Sequence, residues 1–127
     1  MNHRFTKAER LTGKYEIDNI FKKGKSFYVF PFRVMYYEPE QKSEIPARVI
    51  ISVPKRKFKH ASDRNLIKRR IREAYRLNKN DFYDKLVARN QNLHFMIIYT
   101  DQAIQEYNII ESKIIVTLQR LLLESST

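Results

Sequence analysis

A chain of 127 residues with 25 Lys/Arg against 14 Asp/Glu carries a formal net charge of +11 and has a pI near 9.9. Such a balance points to nucleic acid or an acidic membrane surface rather than to an acidic small-molecule substrate. The absence of cysteine excludes disulfide staples and thiolate zinc modules, while 43% hydrophobic residues are enough for a core in one domain, read here as 1–127. The N-terminal Met1-Asn2-His3-Arg4-Phe5-Thr6-Lys7-Ala8 has no apolar leader core and no later run is long enough to span a bilayer, so a cytoplasmic protein without a membrane partner is expected.

In chain order, Gly13 and Gly24 bracket a first helix in which Ile17, Ile20 and Phe21 recur at helical spacing, with Gly24 as its C-cap. Residues 26–37 are rich in aromatic and β-branched types and read as strand, divided or forced to an edge by Pro31. After a polar turn around Glu38 to Pro46, Arg48 to Val53 reads as a buried strand closed by Pro54. A strongly basic helix follows, and helical character continues downstream from Asp81 to Arg89 with Phe82, Leu86 and Val87 on one side. His94 to Tyr99 is another apolar strand. A last helix has its stripe at Tyr107, Ile110, Ile114, Leu118, Leu121 and Leu122, with Ile104 as a possible start. The order is therefore αβββαβα.

Most of the charge sits in one place. Between Lys55 and Arg76 there are ten Lys/Arg and two acids. On a helix turning about 100° per residue, Ile67, Ile71, Ala74 and Tyr75 form an apolar stripe, and Asn65, Lys68, Arg69, Arg72 and Arg76 crowd the adjacent face. One side suits a core and the other a polyanion. Cations at a helix start oppose the macrodipole, so Arg64 and Lys68 are costly there unless an anion joins the free first-turn N–H groups. The bland reading is a solvated basic face; the upstream Lys55, Arg56, Lys57 and Lys59 weigh against it.

Protein-borne catalysis is not expected. His3, His60 and His94 lack metal-ligand spacing, no Ser or Cys stands in a triad or elbow context, and no paired carboxylates suit two Mg²⁺ ions. The catalytic and metal-ligand sets are read as empty.

Lys55-Arg56, then Ala61, then Arg64-Asn65-Leu66-Ile67-Lys68-Arg69-Arg70-Ile71-Arg72-Glu73 resembles the signature of the bacterial ribonuclease P protein component. The resemblance runs over nearly the whole chain, because Arg10-Leu11, the helix ending Ile20-Phe21-Lys22-Lys23-Gly24, and Ile51-Ser52-Val53 before the basic run occur in the same order and spacing. It implies an α+β fold, a two-layer α/β sandwich of order αβββαβα with a left-handed βαβ crossover, although general strand physics favours the opposite hand. It also implies a protein that assists a catalytic RNA in endonucleolytic removal of the 5′ leader from precursor tRNA. The partners would be ribonuclease P RNA and that leader, with no small-molecule substrate. No cofactor would be bound by the protein alone, and Mg²⁺ would be held mainly by RNA.

Carried over residue by residue, the resemblance makes Arg64, Asn65, Lys68, Arg69 and Arg72 contacts to the catalytic RNA, extended by Lys55, Arg56 and Lys59. A cleft between the first helix and the sheet would take the leader, with Phe21, Ile17, Phe32, Met35 and Tyr36 as candidates. Each of those aromatics has a structural reading as core beside the functional one. Two departures stand out: Leu66 replaces a third polar signature residue, with neighbouring Arg70 as the candidate to compensate, and Ile17 stands where the family often has Phe. The competing classes are a ribosomal or double-stranded-RNA-binding protein and an intrinsic metal-dependent nuclease.

Overall fold

A computed structural model describes residues 4–125; His3 lies outside them. A short 3-10 turn (Lys7–Glu9) leads into α1 (Lys14–Lys23), β1 (Lys25–Val29), β2 (Phe32–Tyr37), β3 (Ala47–Ser52), α2 (Ala61–Ala88), β4 (Leu93–Tyr99) and α3 (Tyr107–Glu124). The helix and strand order is the expected αβββαβα.

Both glycines act at the ends of α1. Gly13 has φ of 100°, a conformation that a side chain resists. Gly24 has ordinary extended angles, but a Cβ there would run into the Ile20 carbonyl and lie 2.8 Å from the Tyr36 oxygen. Close backbone approach, not a left-handed turn, is what requires glycine at position 24. Gly24→Ala is expected to destabilise the fold by about 1–3 kcal/mol, the usual cost of overpacking. An unchanged thermal midpoint would show that the helix end can shift.

Pro31 lies in the tight connection between β1 and β2 and divides the stretch into two strands, as the sequence reading allowed, making a hairpin with Val29 opposite Phe32. The sheet order is β1-β2-β4-β3, antiparallel except for the β3–β4 pair, which α2 connects as a crossover. Pleating sorts the side chains into two sets. Phe27, Phe32, Val34, Tyr36, Val49, Phe95 and Ile97 face α2 and α3 and share a core with Ile67, Ile71, Ile114 and Leu121. Met35 and Met96 face the other way and pack with Leu11 and Ile20.

The basic stretch and its Asp81–Arg89 continuation form one 28-residue helix, the single helix that the order αβββαβα places there. Side-chain bonds carry it across the polar 78–80 segment: Asn78 Nδ2 donates within the helix to the Ala74 carbonyl (2.8 Å) and across to Glu111 Oε2 on α3 (3.0 Å), and Lys79 is buried against Glu9. Val87 does not share the buried side with Phe82 and Leu86 but is 65% exposed. In α3 the stripe of Ile110, Ile114, Leu118, Leu121 and Leu122 is buried as expected, and Ile104 precedes the helix.

Candidate nucleic-acid interface

The basic helix splits its charges by direction. Asn65, Arg69 and Arg72 are exposed, with Lys68 half-buried at the border, and none of them turns into the core. Lys55, Arg56 and Lys59 are exposed on the loop before the helix. Lys57 is not part of that free surface, because its Nζ donates to the Thr100 carbonyl (2.5 Å) at the end of β4. The expected side chains are thus brought onto one helix face and the loop leading to it.

Arg64 does something else. Its guanidinium donates to the carbonyls of Phe58 (2.6 Å) and Lys59 (3.0 Å), closing the loop that carries the upstream cations. That arrangement also draws its charge away from the positive end of the helix dipole. Arg70 donates to the Gln105 carbonyl (2.6 Å) before α3, on the flank it shares with Leu66. The Leu66 departure therefore sits beside an arginine already employed in joining α2 to the α3 connection.

The structure adds residues that sequence spacing does not reveal. Phe5 packs edge-on against Tyr75 (centroids 5.5 Å apart), and the Arg10 guanidinium lies 5.4 Å above the Phe5 ring. A shallow groove results, lined by Phe5, Arg10, Arg69, Arg72, Glu73 and Arg76. Lys79 and Glu9 hold this N-terminal segment on α2 through a buried ion pair. No helical or strand periodicity links position 10 to position 69, so only packing brings them together.

On the other side of the sheet, α1 runs from the β3 edge, where Leu11 N–H donates to the Val49 carbonyl (2.9 Å), to the β1–β2 edge at Gly24. Ile20 is buried beneath it and Ile17 half-buried, while Phe21 is 57% exposed on one flank. Met35 lies under the helix with Met96. Phe32 and Tyr36 do not line this side at all. Their register partners are Tyr99 and Phe95, and all four face the α2–α3 core. Strand parity puts Met35 on the face opposite Phe32 and Tyr36, which corrects the placement of both aromatics.

The same parity identifies what does line the uncovered strip. Tyr28, Arg33, Ile98 and Ser52 are cross-strand neighbours in one row on the α1 side. Tyr28 is 52% exposed, and Arg33 is exposed beside it. At the row's end the Tyr28 hydroxyl shares a hydrogen bond with Thr100 Oγ1 (3.0 Å), and the Thr100 hydroxyl donates to the Pro31 carbonyl (2.9 Å). Arg33 standing among apolar residues is the sequence signal that marks this face of β2 as reaching solvent.

A cationic helix face and an open aromatic strip on the far side of the sheet suit phosphates and unpaired bases respectively. The Ribonuclease P family model matches residues 5–121. A ribonuclease P protein component from Porphyromonas gingivalis (strain ATCC 33277) is 39% identical over 95 residues, covering 73% of this chain and 69% of that protein. One from Petrotoga mobilis is 44% identical over 78 residues, 61% of this chain and 63% of the relative. Among solved structures, the Staphylococcus aureus RNase P protein superimposes with a TM-score of 0.70 at 26% identity, covering 91% of this chain and 96% of that one. With its family match spanning residues 5–121, the chain belongs to the ribonuclease P protein family, as a protein subunit of the ribonucleoprotein that processes the 5′ ends of tRNA.

Proposed function

We propose that this subunit docks on the catalytic ribonuclease P RNA through α2 and holds the 5′ leader of precursor tRNA along the strip beside α1. The observation that carries the reading is the exposed helix face of Asn65, Arg69 and Arg72, continued by Lys55, Arg56 and Lys59. Contacts of this kind position and neutralise the RNA backbone without reading sequence. Lys68, at the border of that face, extends it toward the core side. Phe21 and the half-buried Ile17 belong to the leader side, joined there by Tyr28 and Arg33, while Met35 is buried beneath α1 and supports that side from below. Mg²⁺ in the working enzyme is held mainly by RNA, the chemistry belongs to the RNA, and the particle acts in the cytoplasm.

The direct test is 5′-leader cleavage of a precursor tRNA at low Mg²⁺ by the protein alone, a bacterial ribonuclease P RNA alone, and the mixture. Stimulation in the mixture with no cleavage by protein alone is the expected result. Cleavage by the protein alone would replace this reading with an intrinsic nuclease. If six to ten phosphates are contacted, RNA-subunit affinity should fall roughly 10³ to 10⁵-fold between 50 and 200 mM salt, taking duplex DNA as the guide. A flat salt response would count against α2 as the docking face.

Phe21→Ala removes the one exposed ring of α1 on the leader flank. Base–aromatic stacking contributes about 1–3 kcal/mol by alanine substitution, so precursor binding should weaken roughly 5- to 150-fold. Mature tRNA, which has no leader, should bind the variant holoenzyme as well as it binds the parent. Equal losses for both would remove Phe21 from the leader path.

A further inference from the structure

The other flank of α1, turned away from Phe21, faces a cavity of about 430 Å³. Tyr15, Glu16 and Lys23 line it from the helix, Tyr37, Arg48 and His94 from the sheet, and residues 39–43 of the β2–β3 connection close its outer side. A volume in this range suits a small organic ligand, and the lining is polar and aromatic rather than oily.

Several features of the lining have no structural use. Tyr15 is 73% exposed, with its ring outside the aromatic contacts found among the described residues. Neither Lys23 nor Arg48 takes part in the ion pairs found among those residues. His94 is half-buried, and its Nδ1, itself shielded from solvent, has no hydrogen-bond partner. Burial first, and then the charge of Arg48, hold its imidazole below the ordinary value, against a smaller opposing effect of Glu16. A neutral ring offers one donor and one acceptor.

We propose that this cavity takes one unpaired nucleotide of an RNA strand, its base against Tyr15 and its phosphate on Arg48 and Lys23. Glu16 then accepts from an exocyclic amine, which favours adenine, cytosine or guanine over uracil. Two phenol rings supply a sequence-tolerant platform, and two cations free of carboxylate partners match a phosphodiester. An acidic edge beside them would be a liability for a bare anion but an asset for an amino-bearing base. The inference rests on the RNA-binding reading, and places a second nucleotide contact across α1 from the leader strip.

The test uses the whole protein without RNA subunit or precursor, so its failure is separate from failure of the cleavage assay. Tyrosine and histidine ring resonances are followed by NMR during titration with adenosine 5′-monophosphate, uridine 5′-monophosphate, inorganic phosphate and a pentaadenylate. The Tyr15 and His94 signals should move with the adenosine nucleotide, and at lower concentration with pentaadenylate. Lys23→Ala and Arg48→Ala should each weaken that binding about fivefold or more. Lys23 is on an exposed helix position, so its variant keeps the test decisive if the β3 variant folds poorly. Unmoved Tyr15 and His94 signals would overturn the proposal, as would inorganic phosphate acting as strongly as the nucleotide. Pentaadenylate failing where the mononucleotide binds would overturn the strand assignment, and uridine nucleotide binding equally would overturn the role of Glu16.

Discussion

Replacing Arg69 and Arg72 together by alanine is expected to weaken binding to the catalytic RNA about 100-fold at moderate salt, with the fold intact. Each arginine is exposed on α2 and outside the core, so removal leaves no buried group without a partner. A charge-assisted hydrogen bond to phosphate contributes on the order of 1.5 kcal/mol or more, and two such losses make the factor. The sharper readout is the salt dependence. Each phosphate contact removed should lower the slope of log affinity against log salt by about one, so the double variant should lose about two. A loss of affinity with an unchanged slope would mean that the arginines shape the surface without touching phosphate. Arg10→Ala should add a smaller loss of the same kind, because its guanidinium lines the same groove.

Lys79→Met is expected to be strongly destabilising. Lys79 Nζ donates to a Glu9 carboxylate oxygen and to the Arg4 carbonyl while lying 5.1 Å above the Tyr83 ring, and both charged side chains are almost fully buried. Removing one member strands the other charge, at a cost of about 3–5 kcal/mol. For a domain of this size the thermal midpoint should fall by roughly 10–20 °C. Glu9→Gln combined with Lys79→Met should recover much of it, since a neutral pair has no stranded charge. No recovery in the double variant would show that packing, not charge, is what Lys79 contributes.

The same pair predicts a pH signature. Burial pushes the Glu9 carboxyl up, but the Lys79 ammonium and the Thr6 N–H (2.6 Å) and hydroxyl (2.9 Å) outweigh it, leaving the group below its ordinary 4.5. The unfolded chain therefore binds the proton more readily, and Glu9 adds stability that is complete above about pH 5 and lost as pH falls through the folded value. In Lys79→Met only part of that offset remains, so the difference in midpoint between parent and variant should shrink as the solution is acidified. A difference that stays constant from pH 7 to pH 3 would argue against the ion pair. Because this pair fastens Phe5 and Arg10 onto α2, the variant should also bind RNA more weakly than its helix face alone would suggest.

Periodicity carried much of this protein. Ile67, Ile71, Ala74 and Tyr75 recur at helical spacing, and their burial fixes the outward direction of Asn65, Arg69 and Arg72 without any knowledge of the sheet. Gly13 and Gly24 mark the ends of α1, and Pro31 marks the hairpin, because their backbone chemistry acts locally. The exposed cationic face was legible for the same reason: a helix has one buried side, and a charge run on its other side has nowhere else to go.

Tertiary structure decided whatever depends on partners distant in sequence. Phe32 and Met35 have similar apolar character, and only the pairing of β2 with β4 assigns one to the α2–α3 core and the other to the space beneath α1. The directions of Arg64 and Arg70 follow from carbonyls at Phe58, Lys59 and Gln105, which compete with solvent and with any RNA for the same guanidinium. Arg10 meets Arg69 and Arg72 only because Glu9 finds Lys79 seventy residues away. Local hydrogen bonding and hydrophobic period act over four residues and can be read along the chain, whereas these placements arise from burial of side chains against elements that the chain reaches only after folding.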